Sequence, residues 1–278
     1  MFVNGKDMLY KAKQEGKAIF QFNINNLEWT KAILEECDRL KAPVILGASC
    51  SAVSYMGGYN VVVSLVRSLI LDLNIQIDVC LHLDHAKSFE SCKKAIDAGF
   101  SSVMIDLSTK SFEENIKVTK EVLEYAKSRD VLVEAELGVM GSFSSQVITS
   151  SSKTNVIDCI KFIEETNVDT LAASVGSIHG PYKGDLNIDY KLIENIALNT
   201  SIPLVLHGGS GLSNEVLKKC VKAGITKINI NSDLQEVWSK SVRDFIRENK
   251  EMIDPRKIIE SGIDSLKQEI NYKMNINK

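Results

Sequence analysis

The sequence predicts an α/β fold: a closed (β/α)8 barrel with an extra N-terminal helix and a C-terminal helical extension at about residues 248–278, in a single domain over residues 1–278. Three observations carry this expectation. Short β-rich runs alternate with longer helix-periodic runs, which is the sequence form of βαβ units. Eight such pairs fit within 278 residues, and barrels of this kind commonly reach ~250 residues as one unit. Neither a Gly-x-Gly-x-x-Gly turn nor a Walker loop is present to favour the competing doubly wound nucleotide fold.

The elements follow in order. Strands are expected at residues 18–22, 44–48, 78–83, 102–106, 132–137, 170–174, 204–207 and 227–230. Helices are expected at 27–40, 59–73, 89–98, 112–128, 156–166, 190–198, 214–223 and 234–247. In the first of these, Leu27, Ala32, Ile33, Leu34 and Cys37 form an apolar stripe near helical spacing, with Glu28, Lys31, Glu35 and Asp38 elsewhere. Gly99 and Gly224 follow two of the helices, where a C-terminal cap favours glycine. One further helix is expected before the barrel at 5–15 and one after it at 256–274.

Composition narrows the functional classes. With 44% hydrophobic residues the chain can bury a core, and its net charge of −3 without long basic runs argues against nucleic acid as the main partner. The most apolar segment, residues 61–71, is interrupted by Ser64, Arg67 and Ser68 and falls short of the ~18 residues a membrane span needs. Charges recur through the first 16 residues, which lack the apolar core of a secretory signal, so a cytoplasmic address and no membrane partner are expected. Cys37, Cys50, Cys80, Cys92, Cys159 and Cys220 contain no CxxC pair and read as small buried apolar residues.

Catalytic groups in such a barrel project from the C-terminal ends of the strands. The four histidines, His82, His85, His179 and His207, all lie at or just beyond an expected strand end. Three imidazoles from three strand ends can converge on one ion, and three protein ligands with one open position is the arrangement of catalytic zinc. Carboxylates occupy comparable places. Asp84 precedes His85, Asp106 ends the fourth strand, and Glu134 and Glu136 alternate along the fifth, so those two share one face. Near a metal such a carboxylate would be a ligand, an orienter or a proton-transfer base, while for Glu134 a salt bridge to a lysine inside the barrel is an equal alternative.

An anion site is legible beside them. Gly208-Gly209-Ser210-Gly211 follows the seventh strand, and Asn229-Ile230-Asn231-Ser232-Asp233 leaves the eighth. Loops in these two positions commonly hold phosphate, because glycine allows close backbone approach and helix N-termini present unpaired N–H groups. Gly180 and Lys183 would complete the pocket.

These motifs together resemble the class II, zinc-dependent ketose-bisphosphate aldolases. The resemblance rests on His-Leu-Asp-His at 82–85, Val-Glu-Ala-Glu-Leu-Gly at 133–138, His-Gly-Pro-Tyr-Lys-Gly at 179–184, Leu-Val-Leu-His-Gly-Gly-Ser-Gly at 204–211 and Lys-Ile-Asn at 227–229. Phe-Asn-Ile-Asn-Asn at 22–26, Tyr-Met-Gly-Gly-Tyr at 55–59 and Asp-Pro-Arg at 254–256 extend it over nearly the whole chain. It implies a TIM barrel in which His85, His179 and His207 bind catalytic Zn²⁺, with Asp106 and Glu136 forming an alternative or second metal position. By the same resemblance Asp84 exchanges a proton with the C4 hydroxyl. Gly180, Lys183, Gly208, Gly209, Ser210, Asn229, Asn231 and Ser232 would hold the dihydroxyacetone-phosphate half, with Asn23 and Ser49 near the bond being broken. Arg256 matches an arginine that the family supplies from a partner subunit to the second phosphate, which implies a homodimer or higher homo-oligomer.

The implied reaction is reversible cleavage of a phosphorylated ketose, with fructose 1,6-bisphosphate as first choice and tagatose bisphosphate or another phosphoketose as the runner-up. A monovalent cation is a further cofactor to be tested. One departure stands out: the family's acidic run after Glu-Leu-Gly is replaced by Gly-Ser-Phe-Ser-Ser-Gln at 141–146, with Ser144, or alternatively Ser145, in the place of the glutamate that in the family exchanges a proton with the enediolate carbon. That substitution leaves a catalytically impaired sugar-phosphate-binding or scaffold protein as the alternative of another class.

Overall fold

The computed structural model describes residues 1–139, 141–144, 147–148, 153–180 and 187–277; side chains at 141–144, 147–148 and 179 are outside the description. Eight parallel strands close into a barrel: Ile19–Asn23, Val44–Ser49, Val79–Ala86, Ser102–Ile105, Leu132–Leu137, Thr170–Ala173, Leu204–Leu206 and Ile225–Ile230. Each strand lies beside its neighbour in sequence, and the first pairs with the last through Gln21 opposite Asn229. All eight expected strands and their intervening helices are present, with ends shifted by a few residues.

Local chemistry fixes where the outer helices begin. Asn26, Ser88, Ser111, Asn155, Asp189 and Ser213 each accept a backbone N–H from the first turn that follows, a cap that contributes roughly 1 kcal/mol. The inward stripes then bury Ile33 and Cys37, Cys92 and Ile96, Phe162, Ile193, Leu217 and Cys220 against the barrel. Five of the six cysteines are buried, and Cys50 is half-buried.

The expected N-terminal helix, Lys6–Glu15, closes one end of the barrel. Its Met8, Leu9 and Ala12 pack on Ile19, Ile45, Cys80 and Leu132, which lie early in their strands, so this end is sealed by apolar contact. The opposite, C-terminal end of the strands stays polar and open. The C-terminal extension differs from the single helix expected at 256–274. It forms two, Pro255–Glu260 and Ile263–Met274, and Gly262 between them lies so close to Trp238 that a Cβ there would meet the indole at 2.4 Å. The second helix returns to the barrel's outer layer, where Lys267 pairs with Glu35 at 2.7 Å and Met274 meets Cys37.

Two features lie beyond the sequence-based expectation. A short helix, Cys50–Tyr55, follows the second strand and is capped by Ser49. Gly141–Ser144 pairs with Val147–Ile148 and with Ile178–His179 in a small separate sheet over the polar end. Among the described residues, no helix is long and apolar enough to cross a membrane.

Candidate active site

The polar end owes its chemistry to side chains that alternate along the strands, since every second residue faces the axis. Gln21 and Asn23, His82 and Asp84, Glu134 and Glu136, and Lys227 and Asn229 are all buried. The third strand breaks this alternation at one point. Leu83 pairs with Val103 and Ala86 with Ile105, so the strand carries one extra residue, and His85 adopts a left-handed φ of 52°. Such a bulge re-aims side chains at the cost of backbone strain. It allows Asp84 and His85, adjacent in sequence, to line the same cleft of about 420 Å³.

A continuous polar chain runs from the barrel interior to this cleft. Lys227 Nζ donates to Glu134 Oε2 at 2.6 Å, and Glu134 Oε1 lies 2.9 Å from His207 Nε2. Because a carboxylate only accepts, His207 Nε2 carries the proton and Nδ1 presents its lone pair to the cleft. His207 Nδ1 is 2.9 Å from His85 Nε2. His85 Nδ1 in turn meets Asp106 Oδ2 at 2.9 Å and lies 3.5 Å from Glu136 Oε2. Asp84 Oδ2 accepts from Asn23 Nδ2 at 2.9 Å, whereas Asp84 Oδ1 and Glu136 Oε2 are buried with no hydrogen-bond partner among the described residues.

The electrostatics follow from this crowding. Burial opposes charge on His85, but Asp84, the Asp106 hydrogen bond and Glu136 outweigh it and raise its pKa to about 9. Burial likewise disfavours the Asp84 carboxylate, yet the nearby histidines, His85 foremost, hold it well below the usual range. Glu136 is pushed up to about 8, by burial first and then by the charge of Asp106. His82 is driven down to about 3 by burial and by Lys227. It is spent inside the barrel, where Nδ1 meets Ser102 Oγ at 2.7 Å.

Among the described residues, two groups of side chains are spaced to hold a metal ion: Asp84, His85 and His207, and His85, Asp106 and Glu136. Their donors are imidazole nitrogen and carboxylate oxygen, a set that suits Zn²⁺. The expected third histidine, His179, has its backbone beside this end, while its side chain lies outside the described residues, as do Lys183 and the side chain of Ser144.

The same cleft is also lined by Gly180, Gly208, Ser210, Asn229, Asn231 and Ser232, and by Asn23 and Ser49. Here the helix Ser232–Glu248 begins without a side-chain cap, the kind of helix N-terminus that favours an anion. Gly208 is required for close approach: its φ is +67°, and a Cβ would sit 2.2 Å from the Ile178 carbonyl oxygen. The neighbouring Gly209 donates its N–H to the Asn229 carbonyl, and a Cβ there would strike Ile228 at 2.7 Å. Arg256 is outside this chain's own cleft, highly exposed and paired with Asp254 at 2.8 Å.

Sequence reasoning passed over Asn25, Lys87, Ser108 and Thr109, which also line the cleft, and Lys227 as the partner of Glu134. Lys227 was findable, since it alternates with Asn229 on the inward face of the last strand.

Comparison with known proteins agrees with this geometry. The family model for class II fructose-bisphosphate aldolase matches residues 3–278. A fructose-bisphosphate aldolase of Staphylococcus aureus is 46% identical over 273 residues, covering 98% of this chain and 96% of that protein. One from Geobacillus stearothermophilus is 46% identical, covering 98% and 95%. Among solved structures, the YdjI aldolase of Escherichia coli K12 superposes with a TM-score of 0.86 at 26% identity, covering 100% of this chain and 97% of that one. Fructose-bisphosphate aldolase of Campylobacter jejuni gives 0.81 at 25% identity, covering 99% and 95%. With matches that span nearly its whole length, the chain belongs to the class II fructose-bisphosphate aldolase family and is an aldolase of the lyase class.

Proposed function

We propose that this chain cleaves fructose 1,6-bisphosphate reversibly to dihydroxyacetone phosphate and glyceraldehyde 3-phosphate, using zinc held by His85, His179 and His207. The observation that carries the reading is the meeting of Asp84, His85 and His207 beside a cleft that Asp84 and His85 line together with Gly180, Gly208, Ser210, Asn229, Asn231 and Ser232. The donor set fits the ion, because Glu134 fixes the His207 tautomer and an unpartnered Asp84 oxygen faces the same space. When bound, zinc would supply Lewis acidity at the ketose carbonyl, stabilising the electrons that C3–C4 cleavage leaves behind.

The chain's own residues account for the rest. Asp84, ionised and oriented by Asn23, takes the C4 hydroxyl proton as the aldehyde leaves and returns it in the reverse direction. Gly180, Lys183, Gly208, Ser210, Asn229, Asn231 and Ser232 hold the C1 phosphate, with Gly209 keeping the loop in place, and Ser49 lies near the scissile bond. Asp106 and Glu136 provide the second or alternative metal position through the other nitrogen of His85. Arg256, exposed on the outer surface, would serve the second phosphate in a partner copy of a cytoplasmic homodimer or larger homo-oligomer.

A coupled assay for dihydroxyacetone phosphate tests the reading. Fructose 1,6-bisphosphate should be cleaved, a chelator should abolish the activity, and zinc should restore it. Undiminished cleavage after complete metal removal, or none with zinc bound, would overturn it.

A further inference from the structure

We propose that Lys87 is a built-in cation that keeps a single metal ion on the histidine side of His85; this inference rests on the metal-site reading above. His85 stands between two groups of donors. Its Nε2 faces His207 Nδ1 at 2.9 Å, and its Nδ1 faces Asp106 Oδ2 at 2.9 Å with Glu136 Oε2 at 3.5 Å. The two metal-binding groups share this one ring, so their positions compete.

The carboxylate side already holds a cation from the chain itself. Lys87 Nζ donates to Asp106 Oδ2, the same oxygen that meets His85, and Asp106 Oδ1 accepts from the Ser108 hydroxyl at 2.7 Å and the Ser108 N–H at 3.2 Å. A carboxylate offers about four lone-pair sites, and all four of these are in use. A metal ion arriving between Asp106 and Glu136 would have to displace the ammonium and overcome its charge.

Charge arithmetic points the same way. Glu134 is balanced by Lys227, which leaves the carboxylates of Asp84, Asp106 and Glu136. One divalent ion and one ammonium together balance three carboxylates. A second divalent ion beside Lys87 would leave two excess positive charges around these groups, whereas without Lys87 it would leave one, so removing the lysine lowers the electrostatic penalty on that ion. The lysine sits two residues beyond His85, just past the bulge, with 62% of its side chain exposed while that of Asp106 is 4% exposed. Replacing Lys87 therefore removes the charge with little loss of packing. Lys87 is a positioning residue: it acts on the ion through Asp106 and touches no reacting atom in this proposal.

The test is a Co²⁺ titration of the chelator-treated full chain, read by visible absorption and by elemental analysis after dialysis, for the unmodified protein, Lys87→Met and Lys87→Arg. The unmodified chain and Lys87→Arg should take up one ion each. Lys87→Met should bind a second ion, or move the first to the carboxylate side with a changed cobalt spectrum, the affinity for that side rising at least about tenfold. One ion with an unchanged spectrum and affinity in Lys87→Met would overturn the role of Lys87, as would a second ion in Lys87→Arg. No cobalt or zinc bound by the unmodified chain would instead overturn the metal-site reading itself.

Discussion

Replacing Lys227 with methionine separates the barrel's internal ion pair from the site it supports. Lys227 and Glu134 are 1% and 0% exposed and 2.6 Å apart, so water cannot take over the lost contact. Methionine nearly fills the same space, which leaves the uncompensated carboxylate as the main cost. Removing one partner of a buried pair typically costs ~3–5 kcal/mol. A chain of this size should then lose on the order of 10 °C in Tm. The loss has a chemical consequence at the mouth of the barrel. Without Lys227, Glu134 is driven to take up a proton, and as a donor it would favour the other tautomer of His207, turning Nδ1 away from metal binding. Zinc affinity should fall about 10–100-fold. Denaturant unfolding of the zinc-free chain and zinc titration of the folded chain measure the two effects separately. The double variant Lys227→Met/Glu134→Gln, which carries no buried charge, should recover a substantial part of the stability but not the zinc affinity. Stability within about 1 kcal/mol of the unmodified chain for Lys227→Met, or a double variant no more stable than the single one, would refute the reasoning.

Asp84→Ala should retain zinc and bind the ketose while losing roughly 10²–10⁴-fold in kcat, since general acid–base transfer acts in the transition state; an unchanged kcat removes Asp84 from the mechanism. Zinc binding at pH 7 should release protons, because the metal-free His85 has its pKa raised from 6.5 to about 9 and must lose its proton to bind; calorimetry in buffers of different ionisation enthalpy measures this, and no release would contradict it. In the metal-free chain a raised folded pKa adds stability that is fully present below the unfolded value and is lost as pH rises through the folded one. His85 therefore predicts falling stability between about pH 6.5 and 9, and Glu136, raised to about 8, adds a decline in the same direction. Unfolding curves that are flat or rising over that window would rule this out.

The barrel was legible because its strands and helices obey two different periods and because Gly99 and Gly224 mark where two of the helices end. The requirement for glycine at position 262 was not, because it depends on the indole of Trp238, 24 residues away in sequence and visible only in three dimensions. At the site, His85, His207 and Asp84 announced themselves by lying at strand ends. Their arrangement did not, since it needs a bulge that no residue type at 82–86 dictates: His85 is a non-glycine residue with positive φ. Glu134 could be read as an interior ion pair or as a metal neighbour, and it bonds both Lys227 and His207. Gly209 stood out by residue type, but its close packing on Ile228 was not legible, because that contact forms only when the loop folds over the last strand. Lys87 was passed over because an exposed lysine after a strand usually carries no more meaning than solubility, and its partner Asp106 is distant in sequence.

The central claim, a catalytic zinc bound by histidines at the barrel mouth, is tested most directly by zinc analysis of His82→Ala, His85→Ala, His179→Ala and His207→Ala purified alike. The account predicts zinc near the unmodified level in His82→Ala, whose ring is held by Ser102 inside the barrel, and loss of most zinc from the other three. Full zinc occupancy in all four would contradict it.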